Sequence, residues 1–270
     1  MAVAKKAATK KPGTAVVSWE EEMAKAAQKQ ASAQPSGGTG FKNVSIRGGI
    51  LSIDDNPVKN NELRCVVLVD CPENQFYVGK FDPSTPQSPT CYALGDLSKD
   101  DPSEGMAPHE KAKDPQADNC EECPNNEFGS ADTGRGKACK NVRRLALITE
   151  EGTESPDALE EAEVRMLKVP VMSVKNWSKY VQKLAEDITR PTWAVVTLLK
   201  VVPDAKTQFK LQFSFEELIN FKQPLYDAMQ AKLKDVSKSI VAPYPDLPEA
   251  PAKPVRGGKT VAKPTGKRKY

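Results

Sequence analysis

Four cysteines bracket or occupy one loop-like interval: Cys91, Cys120, Cys123 and Cys139. The Cys120-x2-Cys123 pair is the strongest local element. A two-residue gap lets a tight turn aim both sulfurs at one ion, at about 2.3 Å for a zinc thiolate. Asn125, Asn126 and Gly129 suit the knuckle turn after such a pair. Cys139 lies in "GRGKACKN", a second glycine-permitted turn, and Cys91 enters from the far side. Four thiolates of this kind predict a structural Zn2+ site. His109, the chain's single histidine, is an alternative ligand in place of Cys91 or Cys139. An iron–sulfur cluster uses the same four thiolates, and the plain alternative is reduced, unligated cysteine. Cys65, in the apolar run "CVVLV", is expected to pack; Cys71 has no nearby partner pair.

Catalytic chemistry finds little support. A catalytic zinc needs an open coordination position and an acid/base glutamate set near the ligands, and no upstream H-x-E accompanies "CEEC". "GSADTGRGK" invites a phosphate-loop reading, but Arg135 stands where the lysine belongs and Ala138 follows Lys137. A lone histidine excludes most His-based acid/base and triad schemes. The chain is therefore expected not to be an enzyme and to take no small-molecule substrate.

What remains is binding. Arg135, Lys137, Lys140, Arg143 and Arg144 fall within ten residues, and Gly134 and Gly136 let backbone N–H groups approach an anion. Tyr77, Phe81, Tyr92 and Phe128 supply rings on or near the predicted strands. Cations that neutralise phosphates, with aromatics that stack bases at about 1–3 kcal/mol each, are the ingredients of single-stranded nucleic-acid binding. The plain alternatives are core aromatics and a charged strand edge that resists aggregation.

The elements that must position these residues are mostly strands. The chain has 270 residues, 39% of them hydrophobic, with 22 prolines and a mean hydropathy of -0.54. Residues 1–40 read as a disordered basic arm carrying Lys5, Lys6, Lys10 and Lys11, with a short helix over Ser18–Ala33. Residues 241–270 read as a disordered basic tail. Basic arms at both ends suit a polyanion. No apolar run approaches the roughly 20 residues of a membrane span, and the first residues carry no apolar secretory core, so no membrane association is expected. Between the arms, residues 41–225 form one predicted domain. "FKNVSIRGGILSIDD" alternates around Gly48-Gly49, and "ELRCVVLVD" and "NQFYVGKF" read as two strands split by a Cys71-Pro72 turn. Periodicity vanishes over 82–140, returns as a strand at Asn141–Glu150, and gives way to an acidic loop before a strand at Glu163–Val171. An amphipathic helix capped by Ser173 follows, carrying Val174, Trp177, Val181, Leu184 and Ile188 inward. Strands over Trp193–Val202 and Thr207–Phe213 precede a closing helix over 226–240. A featureless insertion of this length in a compact domain calls for an organiser such as a metal.

The stretches "FKNVSIRGG", "GKFDPSTPQSPTCYALG" and above all "CEECPNNEFGSADTGRGKACKNVRRLALI" resemble tailed-bacteriophage single-stranded-DNA-binding proteins, over roughly residues 41–225. A more distant similarity is to the T4-type helix-destabilising protein. The resemblance implies a mainly β (α+β) chain: an OB-fold-like five-stranded barrel with a zinc-binding insertion at 82–140 and flanking helices. It further implies coating of single-stranded DNA in phage DNA replication and recombination, in the host cytoplasm, with phage replication proteins as partners. The mixed His/Cys site of the more distant family keeps His109 open as a ligand. One departure is the basic ending "GKRKY", where such proteins commonly carry an acidic tip. The acidic loop Glu150–Glu163 is a candidate substitute. A zinc-ribbon regulator or adaptor binding duplex DNA or a protein is the alternative reading.

Overall fold

The computed structural model describes Met23, residues 41–79 and residues 87–245. Among the described residues, nine strands form one mixed sheet, in the order β3-β2-β1-β7-β6-β4-β8-β9, with β5 added to a free stretch of β4. The sheet curls into a half-barrel with a few helices. β1 (Lys42–Arg47) and β2 (Ile50–Ile53) form a hairpin closed by Gly48 and Gly49. Both glycines have positive φ, 59° and 80°, which a two-residue hairpin loop of this hand requires. The glycine pair about which the sequence alternates is thus a hairpin turn. β3 (Asn56–Pro57) extends this edge.

The centre is β4 (Glu62–Phe76), a single 15-residue strand. It runs straight through Cys71-Pro72, where the sequence predicted a turn. Here Pro72 opposes Arg143 on β6, its carbonyl accepts from Gly95 N–H at 2.9 Å, and Gly95 has no room for a side chain against the Pro72 ring. β6 (Lys140–Thr149) pairs along one edge of β4. On the other edge, β8 (Val195–Asp204) pairs near Glu62–Cys65 and β5 (Cys91–Leu94) near Glu73–Phe76. A bulge between Val67 and Val69 adds twist, as bulges do.

β7 (Arg165–Val169) pairs antiparallel with β6 and parallel with β1. β9 (Gln208–Leu218) pairs with β8. Packed on the sheet are the helices α1 (Pro156–Glu161), α2 (Val171–Lys183), continuing into a π turn at Leu184–Ile188, and α3 (Gln223–Ile240). The predicted acidic loop thus contains α1, capped by Ser155, whose Oγ accepts from Ala158 N–H.

Strand alternation sends β4 side chains into two cores. Leu63, Cys65 and Val67 join Leu145, Leu147, Leu199 and Leu211 under Trp177 and Tyr180 of α2 and Leu184 of its π turn. Val66 and Leu68 join Ala146, Ile148 and Val196 under Leu225, Met229, Val236 and Ile240 of α3. The predicted apolar stripe of α2 is the observed one, but its predicted cap is not. Pro170 holds the N-cap position, and Ser173, buried in the first turn, accepts the Leu211 N–H through Oγ at 3.0 Å. Asn176 Nδ2 donates to the Leu211 carbonyl at 2.8 Å. Two α2 side chains thereby satisfy one residue's backbone on the free edge of β9.

Candidate functional site

The cysteine loop is organised by asparagines. Cys123 precedes a short 3-10 turn over Pro124–Asn126, and its carbonyl accepts from Asn126 N–H at 2.8 Å. Asn125 ties the returning half to this knuckle: its carbonyl accepts from Cys139 N–H at 2.7 Å and from Ser130 Oγ at 2.9 Å. Asn126 Nδ2 donates to the Cys120 carbonyl at 2.6 Å, while its Oδ1 accepts from Lys137 Nζ and Asn141 Nδ2, both at 3.1 Å. "CEEC" and "KAC" are therefore two halves of one hydrogen-bonded unit.

Cys91, Cys120, Cys123 and Cys139 all border one small cavity of about 10 Å³. None of the six cysteines forms a disulfide. Burial pushes the Cys139 thiol up to about 12, with the neighbouring Cys120, Cys123 and Cys91 adding to the effect. Burial likewise raises Cys91 and Cys120. Mutual disfavour among buried thiolates is what a bound cation would reverse. Among the described residues, no three His, Cys, Asp or Glu side chains stand in an arrangement that would hold a metal ion as placed. The fit to a metal is therefore one of donor chemistry and shared cavity. His109 does not border the cavity. Its ring stacks on Tyr92 at 5.0 Å, and its Nδ1 lies 3.2 Å from the Tyr92 hydroxyl and accepts Lys111 N–H at 3.0 Å. Cys65 and Cys71 lie buried on β4, one in each core.

The predicted nucleic-acid residues separate into distinct settings. Arg135 and Lys140 are exposed, Lys137 is half-buried, and Phe128 is 84% exposed. These four share the surface of the cysteine loop, with Lys140 Nζ donating to the Lys137 carbonyl at 2.8 Å. The glycines beside Arg135 have positive φ, but Gly129 N–H and Ala131 N–H donate to the Gly136 carbonyl and Gly134 N–H to Ala131. Those amides close the loop on itself. Arg143 is half-buried and bonds Asp70 Oδ2 at 3.0 Å, as does Trp177 Nε1 at 2.9 Å. Tyr77 is half-buried, with its hydroxyl donating to Gln75 Oε1 and pushed up to about 12 by burial. Phe81 lies outside the described residues.

Arg144 and Tyr92 are corrections. Arg144 has no exposed surface. Its guanidinium donates to Glu73 Oε1 at 2.9 Å and to the carbonyls of Ile240 and Ala242 at 3.0 and 2.9 Å. It cannot reach a phosphate from there. Tyr92 is 2% exposed and packed between His109 and Tyr244, so neither ring face is free to stack a base. Period-two alternation was the available signal: adjacent Arg143 and Arg144 on a strand must point to opposite faces.

Sequence reasoning missed the partners of Arg144. Residues 241–245 fall inside the predicted disordered tail, yet Tyr244 packs over this region. Its ring lies 5.0 Å from both the Arg144 guanidinium carbon and Lys168 Nζ, and its hydroxyl donates to Glu73. Burial alone would raise the Glu73 carboxyl, but Lys168 and Arg144 overrule it and hold it below the usual carboxylate value. Burial also lowers Lys168 and raises Tyr244. Glu73 Oε2 lacks a hydrogen-bond partner but lies 3.5 Å from Lys168 Nζ.

No protein-family model, curated protein or solved structure matches this chain. Among the described residues, no helix is long and apolar enough to cross a membrane.

Proposed function

We propose that this protein is a non-enzymatic single-stranded-DNA-binding protein acting in phage DNA replication and recombination, built on an open OB-like half-barrel. The observation that carries the reading is connectivity. β4, β6 and β7 follow one another in the chain apart from the four-residue β5 inside the β4–β6 connection, α2 follows, and β8 returns to lie beside β4 before turning into β9. The spatial order β8-β4-β6-β7 is a Greek key, and the helix falls between its third and fourth strands. The cysteine loop interrupts the connection between the first two strands, one of the loops that OB folds use to bind oligonucleotides. Arg135, Lys137, Lys140 and Phe128 on that loop supply phosphate neutralisation and a stackable ring. The phage context and host cytoplasm rest on the sequence resemblance.

Zn2+ held by Cys91, Cys120, Cys123 and Cys139 supplies structural cross-linking of the loop. The chain's own part is the Asn125 and Asn126 network, which fixes the two halves before any ion is considered. The test is a competition gel shift of oligo-dT, duplex DNA and RNA across salt, with metal content measured on the same preparation. The expected result is a single-strand preference that weakens with salt, and colourless protein with stoichiometric zinc. Preference for a specific duplex would favour the adaptor reading. Binding that stays flat with salt, or no binding, would overturn the proposal.

A further inference from the structure

The sequence reading treated α2 only as a carrier of apolar residues, yet its outer face is organised. Lys175, Lys179 and Lys183 recur every four residues and are all exposed. At 1.5 Å rise per residue their levels on the helix are about 6 Å apart, on one face. That interval is close to the separation of successive phosphates in an extended single strand. Among the described residues none of the three lysines forms a salt bridge or a side-chain hydrogen bond, so no internal acid neutralises them.

Both ends of this ladder meet concave surface. At the start of α2, Val174 lines a depression with Arg143, Cys120, Asn126 and Asn141, which is the base of the cysteine loop. At the other end lies a groove of about 570 Å³ between α2 and the β8–β9 hairpin. Lys179, Lys183 and Lys200 stand on its walls with Tyr180, Phe213 and Phe215. No carboxylate lines it; Glu186 and Asp187 follow on the π turn but lie outside the lining, and Lys200 is tied to Glu62 at 2.6 Å. Phe215 is 37% exposed. The groove follows the outer edge of β9, whose backbone α2 satisfies at Leu211. By the two-residue alternation of a strand, Phe213 presents its N–H and C=O to the same edge.

We propose that α2 is a second track for a single-stranded polyanion. The strand leaves the cysteine loop, places successive phosphates on Lys175, Lys179 and Lys183, and ends in the groove with a base against Phe215. This rests on the single-stranded-nucleic-acid reading for the identity of the ligand. Charge and spacing favour a nucleic-acid strand over an acidic peptide added to β9.

The test uses the full chain and fluorescein-labelled oligo-dT, with anisotropy read across a salt series. The variants are K175A/K179A/K183A, F215A and, as the loop control, R135A/K137A. The three lysines are exposed, so the triple variant should melt as the parent does. It should bind about tenfold or more weaker, with the slope of log affinity against log salt reduced by about 2. F215A should bind about fivefold or more weaker with the slope unchanged. If the triple variant binds with the parent's affinity and slope while R135A/K137A is impaired, the α2 track is wrong and the functional reading stands. If the parent chain does not bind oligo-dT, both fall. If the triple variant retains DNA binding but loses an acidic peptide or self-association in sedimentation, the groove belongs to a protein and the inference is overturned.

Discussion

Two groups of cationic and aromatic residues in this molecule use the same side-chain types to opposite ends. Around Glu73, the groups of Arg144, Lys168, Tyr92 and Tyr244 are spent on one another beneath the end of α3. On the cysteine loop and along α2, Arg135, Lys140, Phe128 and the three lysines face solvent. In the first group each buried charge depends on its partners; the second is exposed and free to meet a partner outside the chain. Residue type in a sequence therefore states what chemistry is available, while strand parity and the reach of a helix end decide where it is used.

The sharpest way to break that comparison is to remove Arg144. Deleting one partner of a buried pair leaves an uncompensated charge, at a cost of about 3–5 kcal/mol. Arg144→Ala should show this in urea unfolding as a lower midpoint. Stability unchanged within error would mean that Glu73 is not dependent on it. The same cluster predicts an acid limb. Glu73 is held below its ordinary value of 4.5, so its contribution is present above that pH. It is lost as pH falls through the lowered folded value. Unfolding followed from pH 6 downward should therefore show a steeper loss in the parent than in Glu73→Gln, which starts less stable and has no such carboxylate to titrate.

Next in size is the cysteine clamp, which sits between the two groups. On the proposed zinc reading, Cys123→Ser should abolish metal binding and expose the 87–139 interval to limited proteolysis, while the two sheet cores stay protected. Retention of stoichiometric zinc would point to a ligand set without Cys123. A smaller effect is expected at Tyr244. Tyr244→Phe keeps the ring over Arg144 and Lys168 but removes the hydroxyl that donates to Glu73 and accepts from Lys168 Nζ; a hydrogen bond to a charged group contributes about 1.5–3 kcal/mol. Loss of much more would mean that the hydroxyl also secures the last turn of α3.

The elements most readable in the sequence were those with local period: the apolar stripe of α2, the alternation of β9 and the knuckle signature of Cys120-x2-Cys123. What escaped was set by distant partners. Cys71-Pro72 has turn chemistry, but β6 and the Gly95 segment hold it in a strand. Ser173 has cap chemistry, but the backbone of Leu211 claims its hydroxyl. The parallel pairing of β1 with β7 joins residues more than a hundred positions apart, which no local pattern announces. Tyr244 follows a helix end and precedes a proline- and lysine-rich run, so composition pointed away from the order it has. The Arg143-Arg144 error is different, because alternation was visible and only clustering was read.

The smallest stability effect carries the most functional information. Arg135 and Phe128 are exposed on the cysteine loop, and surface substitutions of this kind change stability by no more than about 0.5 kcal/mol. Arg135→Ala should therefore unfold with the parent. In oligo-dT binding it should lower the salt slope by about 0.7, the share of one phosphate contact on a single strand. Phe128→Ala should instead weaken binding at every salt concentration with the slope unchanged, because stacking releases no counterions. Affinity lost together with stability in either variant would move these residues into the company of Arg144 and erase the distinction between the two groups. Stability kept while affinity falls would locate the binding surface on the exposed group, with charge and ring contributions told apart by slope alone.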